Sequence, residues 1–346
     1  MKRQVLQVIG VAAGPFFLCI AIAQPSDIPP IGTIDFYGLR TISETEVLEF
    51  LPFKEGDTLT PDDLPESFIE SLSSDVAESL GISRVEFNFG CCGESGLSQI
   101  YIGIEETPGP RVVYREAPVG DSTLPPEILT SYEEFGDRWF EAVLSGNARE
   151  DRSEGHSLMD YPPLRAIQER FLVYAEQYRE ILIQVLHESA DAEHRGAAAW
   201  VLGYAQDKAS VTADLTQAVL DTDGGVRNNA TRALAIIAVY AKDKPELGIE
   251  FRTDSFIDML NSIVWSDRNK GLAVLDPLTE ARDPQLLREL QERTLLSLID
   301  MCRWKEWGHA SAACLILQRI MGIPEQPEPG SRERTIARAI ELLPDA

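Results

Sequence analysis

The chain has 346 residues, 44% of them hydrophobic, and a formal charge of −25. That apolar share is enough for packed cores and excludes an acidic disordered chain. The negative balance repels nucleic acid and anionic lipid and favours basic partners, and the length is that of two domains.

Lys2 and Arg3 precede an uncharged stretch, Val8 to Ala23, that closes with Ala21-Ile22-Ala23. Small-x-small at that place is the pattern of a signal-peptidase site. The expectation is a signal peptide over 1–23 cut before Gln24, then a Pro-rich lead over 24–30. Losing Lys2 and Arg3 takes the charge from −25 to −27. The chain would then be exported, periplasmic or secreted. An uncleaved segment that anchors it in a membrane is the alternative, although the run is short for a span and carries Gly14 and Pro15. Export leaves four cysteines in an oxidising compartment. Cys302 and Cys314 can pair if their two helices run antiparallel. Cys91 and Cys92 lie in a glycine-bounded tip, where plain turn residues, a vicinal bridge and an intermolecular link are all open.

Residues 31–106 read as a small α+β domain. Thr33–Gly38 alternates as a strand and stops at a glycine. Ser43-Glu44-Thr45-Glu46 is a capping box, opening a helix with Val47, Leu48 and Leu51 on one side, and Pro52 ends it. Thr60-Pro61-Asp62-Asp63 starts a second helix, whose stripe is Leu64, Phe68, Leu72, Val76 and Leu80, with Gly81 as C-cap. Two strands follow, Arg84–Phe89 and Gln99–Ile104, joined at a Gly/Cys-rich tip. The order is β-α-α-β-β. With Ile34-x-Phe36-x-Gly38, Phe53-Lys54-x-Gly56-Asp57-x-Leu59, Gly81-Ile82 and Ile102-x-Ile104-Glu105-Glu106, it resembles the POTRA domain. The resemblance implies capture of extended peptide at a sheet edge, here Arg84, Val85, Glu86, Phe87, Asn88 and Phe89. The rest of the chain departs from the barrel-forming relatives, since helices and not barrel strands follow.

Residues 107–163 form a connector. Five prolines between Pro108 and Pro126 break regular structure, and Arg111–Arg115 reads as one more extended segment. Pro126–Val143 reads as a helix, and Gly146–Ser157 as a polar loop in which His156 has no second ligand at metal spacing.

Residues 164–322 repeat a helical signature. Leu164–Leu186 reads as one helix. Arg195-Gly-Ala-Ala198-Ala-Trp-Val201-Leu202 then recurs as Arg227-Asn-Asn-Ala230-Thr-Arg-Ala233-Leu234 and as Arg268-Asn-Lys-Gly271-Leu-Ala-Val274-Leu275. A degenerate copy starts at Gly308, and the offsets are 32, 41 and 40 residues. Partner helices fill the gaps at Val211–Leu220, Thr253–Val264 and Leu286–Cys302. Two helices per unit at this period mark an α-solenoid. The turns Asp191-x-x-x-Arg195 and Asp221-Thr-Asp223-Gly-Gly-Val226-Arg227 resemble HEAT repeats. The resemblance implies that Asp191 and Asp223 cap helices while Arg195, Arg227 and Arg268 tie turns together, as structural and not catalytic residues. Residues 323–346 read as a linker and a capping helix with Ile336, Ile340 and Leu343 on one face.

The fold expected is thus a POTRA-like α+β domain followed by an all-α HEAT-like solenoid. The function expected is a non-enzymatic scaffold of the cell envelope that binds protein or extended peptide through the sheet edge, the repeat surface or both. No catalytic residue, cofactor or metal site stands out. The alternative is a HEAT-like enzyme or enzyme subunit, lyase-like, with an acidic site. Its best residues are Glu188, Asp191, Glu193 and His194 beside His187, a cluster that also reads as a solvated turn.

Overall fold

The computed structural model describes residues 29–59, 65–90, 96–108 and 112–343. The expected export segment, the start of the second helix at Thr60–Leu64 and the Cys91-Cys92 tip lie outside them. No helix among the described residues is long and apolar enough to cross a membrane. The elements in chain order are β1 (Ile31–Tyr37), α1 (Glu44–Leu48), α2 (Glu66–Leu80), β2 (Arg84–Gly90) and β3 (Ser98–Glu105). Then come α3 (Pro126–Leu144), β4 (Glu150–Asp151), β5 (Leu158–Met159), α4 (Pro162–Gln177), α5 (Arg179–Glu188), α6 (Ala192–Leu202), α7 (Ala209–Ala218) and α8 (Gly224–Asp243). The last are α9 (Asp254–Met259), α10 (Trp265–Thr279), α11 (Pro284–Cys302), α12 (Trp307–Ile320) and α13 (Arg332–Ile340). The chain folds as a small sheet region followed by a solenoid-like run of helices.

The described residues divide into two compact units. One takes residues 113–256 and 273–278; the other joins residues up to 112 with 257–272 and 279 onward. The grouping cuts across the sequence segments, because the N-terminal sheet shares a unit with the C-terminal helices.

In the sheet unit the strand order is β1-β3-β2, with β1 parallel and β2 antiparallel to β3. Ile34 pairs with Ile100, and Ile102 sits between Phe36 and Phe87. With Val47, Leu72 and Val76 these residues make the core under the helices. The Ser43–Glu46 capping box forms in both directions. Helix α2 opens at Glu66, with Pro65 extended ahead of it. The stripe also shifts, since Phe68 is exposed and Ile69 packs instead.

The opposite face of β3 is buried too. Tyr101 is fully buried, stacked on Trp265 at 4.5 Å and edge-on to Trp304 at 5.2 Å. Its hydroxyl bonds His309 Nδ1 at 2.5 Å. Gly103 has no room for a side chain, because a Cβ there would lie 2.5 Å from the Ile263 carbonyl oxygen and 2.8 Å from the Tyr37 ring. Asp35 is buried in β1 and both its oxygens accept the Lys305 backbone N–H. Burial pushes its carboxyl up to about 6 despite that bond. Cys302 and Cys314 form a disulfide between α11 and α12.

Several expected elements differ. Leu164–Leu186 is two helices, broken at Tyr178, whose backbone leaves helical angles. The helix expected over Thr253–Val264 stops at Met259, where amide bonds to residues three back tighten the chain and the Asn261 and Ser262 side chains take other partners. Residues 112–119 are not a strand. The loop 146–157 contains half of a two-stranded ribbon, β4 with β5. In α13 the buried positions are Thr335 and Ala339, while Ile340 is exposed, so the helix packs about one residue off the expected face.

Candidate functional site: the sheet edge and the repeat turns

All six residues of the expected edge lie in β2, which has one strand neighbour among the described residues. Val85 and Phe87 turn into the core, Arg84 is exposed, and Glu86, Asn88 and Phe89 are half-buried. Across the sheet, β1 is covered along its outer side. The Ile31 amide donates to the Asp57 carbonyl at 2.8 Å, the Ile34 amide to Glu55 Oε1 at 3.0 Å, and the Gly38 amide to Asp300 Oδ2 at 3.0 Å. Glu106, just beyond β3, clamps the β1–α1 turn. Partial burial works to raise its carboxyl, but bonds from the Thr41 hydroxyl and the Arg40, Thr41 and Ile42 amides hold it down at about 2.

The repeat turns are built on buried charge. Asp191 caps α6, its Oδ1 accepting from Glu193 N at 2.9 Å, and Asp223 caps α8, accepting from Val226 N at 2.9 Å. The third copy has no such aspartate; Ser262 Oγ accepts the Val264 amide at 3.1 Å. The three arginines repeat one contact. Arg195 Nη1 donates to the Ser189 carbonyl at 2.9 Å, Arg227 Nη1 to the Asp221 carbonyl at 2.9 Å, and Arg268 Nε to the Ser262 carbonyl at 2.5 Å. Each reaches six residues back and satisfies a carbonyl at a buried turn. Arg227 also lies over the Tyr114 ring at 4.1 Å, and Arg268 over Tyr37 at 4.6 Å.

Asp221 joins successive turns. It is fully buried and receives both Arg195 Nε at 2.9 Å and Nη2 at 2.8 Å. Arg115 of the connector donates closely to Oδ2, sharing it with Arg195 Nε, and the Asp223 amide donates to Oδ1 at 2.9 Å. Burial alone would raise this carboxyl, but the Arg195 and Arg115 bonds hold it below the usual range. The connector continues along the turns: the Arg115 amide donates to the Leu220 carbonyl, and Gly120 exchanges backbone bonds with Glu188 and Ala190. A side chain at Gly120 would meet the Glu188 carbonyl oxygen at 2.6 Å. A second buried charge cluster ties the ribbon to α8, where Glu150 is gripped by Arg232 and by Arg152 at 2.7 Å. The sequence places Asp221 in the HEAT-like turn without its joining role, and gives no sign of the roles of Arg115, Glu150 and Arg232. The one available signal was a second aspartate two residues ahead of the Asp223 cap.

The acidic turn residues are not brought to one point. His187 Nε2 bonds Asp214 Oδ1 at 2.7 Å, His194 Nδ1 accepts the Leu124 amide at 2.8 Å, and Glu188 accepts from Gln184 at 3.0 Å. Among the described residues no group of three or more His, Cys, Asp or Glu is placed to hold a metal.

Residues 179–266 match the HEAT-repeat family. Solved structures similar to the chain include two designed proteins. One is a computationally designed armadillo repeat protein for modular peptide recognition, at 12% identity, with 63% of this chain and 100% of that one covered and a TM-score of 0.36. The other is the designed armadillo repeat protein YIII(Dq)4CqI, at 16% identity, covering 54% and 95%, with a TM-score of 0.33. No curated protein matches the chain.

Proposed function

We propose that the chain is an exported, non-enzymatic scaffold of the cell envelope. In this reading its sheet region is POTRA-like, and β2 and the HEAT-repeat surface hold protein or extended peptide partners. The observation that carries the reading is how the HEAT repeats use their charges. Asp191, Arg195, Asp221, Asp223 and Arg227 are spent on caps and turn ties, as a structural scaffold spends them. The single-neighbour strand β2 adds a backbone edge of the kind that extends by one more strand. The charge of −25 makes basic partners the favoured class.

The test places a photo-crosslinking residue in the full-length chain, in envelope preparations, at exposed Arg84 on β2 and separately at exposed Gln217 on α7. A specific crosslinked partner at Arg84 assigns recognition to the sheet edge, and one at Gln217 assigns it to the repeats. Crosslinking at neither position above a scrambled-site control refutes the scaffold reading. Deleting the sheet is a poorer probe, because Trp265 and Trp304 pack on its Tyr101.

A further inference from the structure

A cavity of ≈ 10 Å³ lies within the first unit, between the ribbon and the helices α6 and α8. Its wall includes His156, Ser157, Trp200, Tyr204, Asn229 and Arg232. Four of these carry a buried polar atom with no protein partner of normal geometry: His156 Nδ1, Ser157 Oγ, Trp200 Nε1 and Arg232 Nε. Ser157 Oγ is turned toward Glu150, whose carboxyl it helps to hold down, which leaves the three nitrogens. Arg232 is only 5% exposed as a residue, and its terminal nitrogen is committed to Glu150. Asn229 is also committed, donating to the Tyr132 hydroxyl at 2.6 Å and the Gly196 carbonyl at 3.0 Å. Three unsatisfied nitrogens around one small space are unusual in a folded protein, where buried polar groups are nearly always hydrogen-bonded.

The geometry assigns this cavity to a single ordered water that accepts from Trp200 Nε1 and Arg232 Nε and donates to His156 Nδ1. A site of this size accommodates about one water, and buried waters typically make about three hydrogen bonds. The indole and the guanidinium can only donate. A neutral imidazole with its proton on Nε2 supplies the acceptor, and burial together with nearby Lys208 holds His156 neutral down to about pH 4. A small anion would accept from the same two donors. It is disfavoured by the buried Glu150 carboxylate on Arg232 and by the bare imidazole nitrogen, which needs a donor. The water would fasten the ribbon, through His156, to one residue on α6 and one on α8.

The experiment is a high-resolution crystal structure of the full chain, from native crystals and from crystals soaked in bromide. The expected result is one water peak within about 2.7–3.2 Å of the three nitrogens, with no anomalous signal after soaking. An anomalous bromide peak overturns the proposal in favour of an anion. A closed site, with the three atoms bonded to one another or to protein groups, overturns it as well. NMR of the same chain gives a second readout. Of the five tryptophan indole N–H signals, that of Trp200 should show a cross-peak to long-lived water, and its absence counts against the site.

Discussion

Replacing Asp221 by alanine is the sharpest test of how the repeats are held. The carboxylate is fully buried and answers two guanidinium N–H groups of Arg195, a third from Arg115 and the Asp223 amide. Arg195 is itself 2% exposed, so truncation leaves its charge buried with only the Ser189 and Ala190 carbonyls. Breaking a buried pair from one side costs about 3–5 kcal/mol. Arg115 is less buried and can turn to water, which keeps the figure from rising further. Each kcal/mol moves Tm by about 2–4 °C in a unit of this size, so the fall should be about 6–20 °C. Circular dichroism on heating reads the fall, and amide exchange should rise in α6 and α8 first. Pairing Asp221→Leu with Arg195→Met should recover much of the loss, since the stranded charge is then gone. A Tm within 2 °C of the parent, with exchange unchanged in α6 and α8, would refute the argument that this carboxylate joins the turns.

Asp35 predicts a pH effect of known sign. Its folded carboxyl sits at about 6 against an ordinary 3.8, so its contribution is favourable below pH 4 and is lost as pH rises through 6. The loss is at most about 3 kcal/mol, and Asp35→Asn should remove it while keeping an acceptor for the Lys305 amide. A difference in unfolding free energy between parent and variant that stays constant from pH 3 to 8 would sink this. Reducing the Cys302–Cys314 bridge, 12 residues apart, should cost about 3 kcal/mol of unfolded-chain entropy, read as a lower Tm with reductant that Cys302→Ser/Cys314→Ser does not show. Gly103→Ala should destabilise by about 1–3 kcal/mol, because its Cβ has no room. Gly136→Ala, in open space on α3, should stabilise by up to about 1 kcal/mol, and equal effects of the two changes on Tm would contradict the packing described.

Local signals in the sequence were read well where the cause is local. The Ser43–Glu46 box, the Asp191 and Asp223 caps and the bonds of Arg195, Arg227 and Arg268 to a carbonyl six residues back all depend on residues a few positions apart. The misreadings share a different cause. Ile100, Ile102 and Ile104 announce one buried face of β3, but burial of Tyr101 depends on Trp265, Trp304 and His309, which no period in β3 encodes. Arg115 meets Asp221 across 106 residues, and Arg232 meets Glu150 across 82. An isolated charge in a loop looks the same whether it ends in water or in a buried pair. For the covered face of β3 the visible hint was Gly103, as a glycine inside a strand marks a close backbone approach.

The distance between Tyr101 and His309 also sets an order of events during synthesis. The two are 208 residues apart. At about 5–20 residues per second, that interval lasts roughly 10–40 s. Throughout it the sheet can complete its own core, since β1, α1, α2, β2 and β3 are already made. Its second face, carrying Tyr37 and Tyr101, stays uncovered until Trp265 and Arg268 of α10 emerge, and is completed only with α11 and α12. A chain stopped short of Trp304 would therefore fail at its beginning as well as its end, presenting an aromatic strand face to whatever else is folding nearby.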